Sequence, residues 1–341
     1  MRAAILHEFG KPLMLEDVAQ PRAGAGEVLV QIEACGVCHS DLHLVSGEWP
    51  AFAKLIKQRL IPGHEIVGRV VEIGDGVDHS LRGARVGVAW VYWSCGNCVT
   101  CKEGRENICQ NRAITGVTVD GGYAEFMLAK ASHVIPVPDA LDSAEAAPLF
   151  CAGVTVVRAL RNADVRAGQR VAVFGVGGLG HLAVQAACVM GAEVIAVDVD
   201  EAKLALARES GAAQTINSAK VDAGAELRAA GGVHFALVAT PAKEAYAAAF
   251  ASPRAGGAVL IVGLPSEPLT FDAVKFARNE ARILTSVVGT RQDVRDTLAL
   301  AAAGKLHCRV EHRPLAQINE ILDAMKRGTI LGRVVLTPMQ N

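Results

Sequence analysis

Arg170-Val-Ala-Val-Phe-Gly175-Val-Gly-Gly-Leu-Gly180 decides the reading of this sequence. A largely apolar run enters a G-x-G-x-x-G pattern, and an alanine- and valine-rich helical stretch follows. In that setting Gly175 permits a tight turn, Gly177 lets backbone approach a pyrophosphate, and Gly180 lets helix and strand pack closely. The start of the helix offers unbonded N–H groups and partial positive charge to phosphates. Glycine-rich turns are common, so the pattern gains its weight from the strand beyond the helix. That strand, Val194-Ile-Ala-Val-Asp198, ends in an acid about 20 residues further on, where a ribose acceptor is needed. A carboxylate there accepts hydrogen bonds from an adenosine ribose and repels a 2′-phosphate, which favours NAD over NADP. Asp200, two residues past the strand, is a weaker candidate for the same role.

The same texture repeats outward from this loop. Valine- and isoleucine-rich strands are predicted at 170–174, 193–197, 214–217, 235–239, 258–262 and 283–288. Helical patterns fall between most of them, as at 182–190, 201–210 and 243–250. Such strands, lacking clean alternation, belong to a parallel sheet covered on both faces, and six suggest two mononucleotide-binding halves. The earlier chain differs. Glu27-Val-Leu-Val-Gln-Ile-Glu-Ala, Glu65-Ile-Val-Gly-Arg-Val-Val-Glu-Ile and Gly122-Tyr-Ala-Glu-Phe-Met-Leu alternate between glycines and prolines, as in an antiparallel, partly closed β domain. Residues 143–160 read as helix. Past Gly289 come a helix, a strand near 308–311, a helix at 315–326 and a strand at 333–336, a tail expected to return to the first domain. The fold class is therefore α/β, with expected divisions 1–151, 152–289 and 290–341.

A length of 341 residues suits two domains, and 51% hydrophobic composition allows each a core. A net charge of −1 gives no electrostatic reason to expect nucleic acid or an acidic membrane as partner. Met-Arg-Ala-Ala-Ile-Leu-His-Glu-Phe is too short and polar for a signal peptide. No apolar run approaches the ~20 residues of a membrane span. A soluble, cytoplasmic protein acting on a small molecule is expected. Nine cysteines in such a chain point to metal or thiol chemistry. Cys95, Cys98, Cys101 and Cys109 have the C-x2-C-x2-C-x7-C spacing of a closed, four-thiolate structural zinc site, with iron–sulfur ligation the main competitor. Cys38, His64 and Cys151 form a scattered set suited to an open zinc site with a fourth position for substrate. Cys35, Cys188 and Cys308 are expected as small buried apolar residues.

Gly36-Val-Cys-His-Ser-Asp-Leu-His43, Gly63-His-Glu65, the four-cysteine loop and the Gly175–Gly180 loop, in that order, resemble the zinc-containing medium-chain alcohol dehydrogenases of yeast and other microbes. The resemblance spans essentially the whole chain, including Gly332-Arg-Val-Val-Leu336. It implies a GroES-like catalytic domain with a structural zinc lobe near 93–111, a Rossmann coenzyme domain, two zinc ions per chain, and NAD. The implied reaction is reversible hydride transfer between a primary or secondary alcohol and NAD, giving an aldehyde or ketone. Cys38, His64 and Cys151 match the catalytic zinc ligands; Glu65 matches a residue behind the metal, and Asp41 one that fixes the His64 imidazole. Ser40 and His43 match a proton exit path, where zinc acidifies the alcohol and His43 delivers the proton to solvent. His39 and Arg333 match pyrophosphate contacts and Thr155 a neighbour of the nicotinamide. Further coenzyme contacts are implied at Gly178, Leu179, Lys203, Val262 and Val288.

Trp49 and Trp90 match aromatic walls of the substrate pocket, which implies small, neutral, apolar alcohols and aldehydes. A homotetramer is expected, as is common among shorter microbial members. One departure is the segment 50–62, longer than in yeast-type members and bordering the cleft, which bears on pocket size. Polyol-type relatives usually replace the third ligand with glutamate and cinnamyl-type relatives favour NADP; Cys151 and Asp198 speak against each in turn. A non-catalytic redox-sensing relative would share the fold, and a zinc-ribbon nucleic-acid binder would need a basic patch that is missing.

Overall fold

The glycine loop sits where its sequence setting requires, at the carboxyl end of the first strand of a parallel sheet. The structure, a computed structural model, describes residues 1–49, 54–265 and 267–339. The chain divides into two compact units, Met1–Val154 with Val288–Asn341, and Thr155–Val287. Among the described residues no single helix is long and apolar enough to cross a membrane.

The first unit is built on antiparallel pairing. Strand β1 (Arg2–Ile5) pairs with β2 (Met14–Asp17). The long β3 (Glu27–Gly36) is the hub, paired antiparallel with β4 (Glu65–Ile73) and also with β8 (Phe126–Lys130). Beyond β4 lie β5 (Arg85–Val88) and β9 (Ile135–Pro136). A separate ribbon joins β6 (Val91–Trp93) to β7 (Ala113–Ile114). The alternation in 27–34 is explained by burial: Val28, Val30 and Ile32 point into the main core while Gln31 and Glu33 are half-buried. The tail adds β16 (Val310–Arg313), parallel to β17 (Arg333–Leu336), and β17 pairs antiparallel with β3 at Cys35 and Gly36.

In the second unit β10 (Arg170–Phe174), β11 (Glu193–Asp198), β12 (Gln214–Asn217), β13 (Val233–Val238), β14 (Pro253–Ile261) and β15 (Arg282–Thr285) form one wholly parallel sheet. Its order is β12-β11-β10-β13-β14-β15: third, second, first, fourth, fifth, sixth, the doubly wound dinucleotide-binding order that reverses beside β10. Val171, Ala172 and Val173 are wholly buried, as strands covered on both faces must be. Two short helices, Ala223–Ala229 and Ala273–Arg278, are capped by the Asp222 and Asp272 carboxylates.

Three expectations need adjustment. The strand at 283–288 stops at Thr285, because Val288 takes φ +39, which no strand accommodates. The helix at 143–160 is three pieces: Ser143–Ala146, a tight turn over Ala147–Phe150 containing Pro148, and Ala152–Asn162. Proline cannot supply the helical N–H, and the break leaves Cys151 outside helical geometry at φ −130, ψ −69. Cys188 is half-buried, at a helix end, where its thiol meets the Gly211 carbonyl at 3.3 Å, while Cys35 and Cys308 are buried.

Candidate active site

Three separate chain breaks bring Cys38, His64 and Cys151 together. At the end of β3, Val37 N–H bonds the Val334 carbonyl, and extended Cys38 then caps the helix His39–Ser46. His64 directly precedes β4, and Cys151 is delivered by the interruption after Pro148. Donor atoms of Cys38, His64, Cys151 and Glu65 all lie within 4.8 Å of one another, and all four residues are buried.

Asp41 organises this cluster. It accepts from Cys38 N–H (3.0 Å), Gly63 N–H (3.2 Å), His64 Nδ1 (3.1 Å) and the Tyr123 hydroxyl (2.9 Å). Its carboxylate only accepts, so Nδ1 of His64 carries a proton and Nε2 is the ring nitrogen left over for another partner. Nε2 is buried and has no hydrogen-bond partner. Burial, then the Asp41 charge, keep the Tyr123 hydroxyl well above its ordinary pKa and therefore a donor.

Behind the cluster, Arg333 Nη2 donates to Glu65 Oε2 at 2.5 Å, with both side chains out of solvent. Glu65 Oε1 is buried without a partner. Burial raises the Glu65 carboxyl to about 7 against the pull of Arg333, with the Cys38 charge raising it further. Cys38 is held well below a normal thiol by the hydrogen bond from Cys151 and by His64, despite burial. Cys151, the donor in that pair, is pushed well above. Two cysteines, a carboxylate and an imidazole nitrogen without a partner, all buried together, are mismatched unless a metal cation joins them. Sulfur and nitrogen donors at this spacing suit zinc, which fits here.

The second cluster is the four-cysteine loop. Sγ of Cys109 lies 3.5 Å from Cys95 and 3.8 Å from Cys98, and Cys95 lies 4.0 Å from Cys101. A tetrahedron with Zn–S bonds of about 2.3 Å has edges of about 3.8 Å, so the loop already has the shape of a zinc cage. The Thr100 hydroxyl and the Cys101 N–H hold the Cys98 thiol down at about 6, while burial raises Cys101 to about 12. The loop is tied down on both flanks. Ser94 N–H donates to His133 Nε2 at 3.0 Å. Glu106 accepts from Arg291 at its N–H (2.9 Å), Nε (2.9 Å) and Nη2 (2.6 Å).

The other predicted residues fall in two places. Ser40, His43 and exposed His39 share the helix His39–Ser46 with Asp41. Trp49 stacks on His43 with ring centroids 4.9 Å apart, and buried Trp90 meets His64 edge-on at 4.7 Å. Residues 50–53, within the segment expected to affect pocket size, lie outside the described residues.

In the second unit, Gly175 has φ +87 and a Cβ at Gly180 would meet Gly175 O at 1.8 Å, so neither tolerates a side chain. Gly177 faces open space, with nothing within 4 Å of a Cβ there, and no side chain caps the helix Gly180–Val189 at Leu179. Gly178 and Leu179 complete the half-buried loop. Asp198 Oδ2 accepts from Val176 N–H at 2.7 Å, pinning the loop to the end of β11. Asp200 instead caps the helix Glu201–Glu209, which carries half-buried Lys203. Open backbone N–H groups beside a fixed carboxylate fit a dinucleotide. Val262 follows β14, and Thr155 and Val288 are buried. The Glu65–Arg333, Tyr123–Asp41 and Glu106–Arg291 contacts join residues far apart in sequence and left no signal there. The contact of Glu48 with His43 had a local one, the glycine at the helix end.

Comparison with known proteins agrees with this geometry. The profile for the alcohol dehydrogenase GroES-like domain matches residues 24–139, and that for zinc-binding dehydrogenases matches 178–303. An alcohol dehydrogenase of Geobacillus stearothermophilus is 46% identical over 98% of this chain and 99% of its own. One from Moraxella sp. is 44% identical over the same shares. The alcohol dehydrogenase from the archaeon Aeropyrum pernix superposes with a TM-score of 0.92 at 36% identity, covering 99% of this chain and all of the other. Acetophenone reductase from Geotrichum candidum, solved with NAD, gives 0.90 at 35% identity, covering 99% and 97%. With two cysteine-based metal cages, a doubly wound sheet and relatives matching end to end, the chain belongs to the zinc-containing medium-chain alcohol dehydrogenases.

Proposed function

We propose that this alcohol dehydrogenase oxidises small, neutral alcohols with NAD, using Cys38, His64 and Cys151 as ligands of a catalytic zinc and the four-cysteine loop as the cage of a second, structural one. The observation that carries the reading is the buried, unpartnered Nε2 of His64, aimed by Asp41 at two thiols. When bound, zinc supplies the Lewis acidity that acidifies an alcohol, and NAD supplies the hydride acceptor. The chain supplies the rest. Asp41 orients the imidazole, and Glu65, balanced by Arg333, keeps a free carboxylate oxygen beside the ligands.

Ser40 and His43 are three residues apart on one helix, so both sit on one face. Ser40 receives the proton of the alcohol and His43 passes it toward water. Asp198, already pinned to the glycine loop, accepts the adenosine ribose hydroxyls and turns away a 2′-phosphate. The half-buried loop 175–180 cradles the pyrophosphate, with Lys203 of the same unit as a candidate cation; His39, on its own helix, is a further candidate coenzyme residue. Thr155 is proposed to contact the nicotinamide, and Val262 and Val288 are kept as further candidate coenzyme residues.

Trp90 against His64 and Trp49 against His43 supply apolar ring faces, which favours short primary alcohols over acidic or polyhydroxy ones. A series of kcat/KM values from ethanol through hexanol and benzyl alcohol, repeated with Trp49→Ala and Trp90→Ala, tests this. Each methylene that fits adds ~1–3 kcal/mol at most. If neither substitution moves the preference toward bulkier alcohols, the walls lie elsewhere. Assembly as a homotetramer in the cytoplasm belongs to the same reading, and light scattering on the purified protein tests the assembly.

A further inference from the structure

The helix that carries Ser40 and His43 ends in a turn that folds back over His43. Gly47, at φ +75, closes the helix His39–Ser46 in the left-handed conformation that glycine adopts most easily. Its N–H bonds the Leu44 carbonyl (3.2 Å), and the Glu48 N–H bonds the His43 carbonyl (3.0 Å). This cap decides where the next two side chains go. Glu48 Oε2 lies 2.6 Å from His43 Nδ1, and the Trp49 indole stacks on the imidazole at an interplanar angle of 24°. His43 is buried, whereas the Glu48 side chain is 41% exposed. The pair thus runs from the interior to water.

We propose that Glu48 is a positioning residue for proton transfer: by accepting from Nδ1 it sets the His43 tautomer, leaves Nε2 as the base, and stabilises the imidazolium next to solvent. This rests on the proton-path reading of Ser40 and His43. A carboxylate accepts only, so Nδ1 keeps its hydrogen and the lone pair stays on Nε2. Nε2 then takes up one proton, giving an imidazolium beside a carboxylate, and later yields that proton to water. The C-terminal end of the helix, with its partial negative charge, favours the same cation.

Other polar and charged groups among the described residues act on the pair. The His39 ring lies 6.0 Å from that of His43 on the same helix. The Ser46 hydroxyl and Lys326, from the helix Ile318–Lys326, act on Glu48. Burial pushes the Glu48 carboxyl up, but hydrogen bonds from His43 and Ser46 and the charges of His43 and Lys326 outweigh it, so Glu48 stays below its ordinary value and ionised at neutral pH.

His43 accepts a proton only when neutral, so alcohol oxidation falls toward acid pH. Removing the carboxylate takes away the imidazolium's partner at 2.6 Å and moves the acid limb of the kcat profile to lower pH. Screening by solvent keeps the shift to about one unit. The weaker base also lowers the plateau several-fold.

The test uses zinc-loaded enzyme and four forms: wild type, Glu48→Gln, His43→Gln and the double variant, with kcat and the KM for NAD measured across the acid range. The expected result is a downward shift of about one unit and a lower plateau in Glu48→Gln, an unchanged KM for NAD, and no further change when Glu48→Gln is added to His43→Gln. A profile that His43→Gln alters and Glu48→Gln leaves alone overturns the inference while sparing the proton path. An equal shift from Glu48→Gln in the His43→Gln background also overturns it, because Glu48 would then act elsewhere. A profile that His43→Gln itself leaves unaltered overturns the proton-path reading and the inference with it.

Discussion

Replacing Asp41 with asparagine separates orientation of the metal ligand from simple packing. Asp41 accepts four hydrogen bonds, two on each oxygen: Gly63 N–H and His64 Nδ1 on Oδ1, Cys38 N–H and the Tyr123 hydroxyl on Oδ2. Asparagine keeps one acceptor oxygen and places an NH2 at the other position. The less costly flip puts NH2 at the Oδ2 position, because the Tyr123 hydroxyl can turn to accept from it. The Cys38 N–H then faces a donor, and one unsatisfied buried donor costs about 1–3 kcal/mol. At Oδ1 the His64 bond survives but loses its charge, so imidazole basicity falls and zinc affinity drops about 10–100-fold. Asp41→Asn should therefore lower the urea midpoint of the folded protein and release zinc to a competing chelator sooner. Tyr123→Phe removes one hydrogen bond and no charge, so it should lose about 1 kcal/mol of stability with zinc affinity nearly unchanged. Chelator competition on the three forms, with urea unfolding in parallel, reads both quantities. If Asp41→Asn holds zinc as tightly as wild type, the carboxylate does not govern His64.

Asp198→Ser should narrow the preference for NAD over NADP in kcat/KM, since the fixed carboxylate that turns away a 2′-phosphate is removed; an undiminished preference would exclude that role. Cys109→Ser opens the four-thiol cage and should lower thermal stability before it affects chemistry, because structural zinc contributes binding energy to folding; a parallel loss of activity at a temperature where the protein stays folded would contradict this. His133 is held at about 4, by burial first and then by Arg291. Its folded value lies below the unfolded value of about 6.5, so the unfolded state binds the extra proton and stability falls as pH drops from about 6.5 to 4. The loss is on the order of 2 kcal/mol after solvent screening. His133→Gln should flatten that part of the urea-midpoint profile, and an unchanged slope would show that the histidine is not its source.

The features that could be read from the sequence are those whose chemistry is written in short spacing. The loop Gly175–Gly180, the acid Asp198 and the run Cys95–Cys109 each fix their partners within one or two elements, so spacing alone announces them. The scattered ligands were legible only as residue types, and what aligns them is tertiary. Cys151 faces its partners because Pro148 interrupts a stretch that reads as continuous helix. Arg333, matched to a pyrophosphate contact, bonds Glu65 across 268 positions, a pairing that no periodicity encodes. The end of β15 was misplaced for a local reason, since a valine in a left-handed conformation is disfavoured and nothing in Ser286-Val-Val288 signals it. Asp198 and Asp200 illustrate how close two readings can lie: both are acids after one strand, and the hydrogen bonds separate the loop anchor from the helix cap.

The central claim is that Cys38, His64 and Cys151 hold a zinc ion on which turnover depends while the cysteine loop holds another. Metal analysis of purified wild type and Cys151→Ser, with NADH formation from an alcohol followed on the same samples, tests it most directly. Two zinc ions per chain are expected in wild type from the two ligand clusters, and one in a folded Cys151→Ser protein that has lost activity. One zinc or fewer in the wild type, or a variant that keeps both zinc and turnover, would contradict the account.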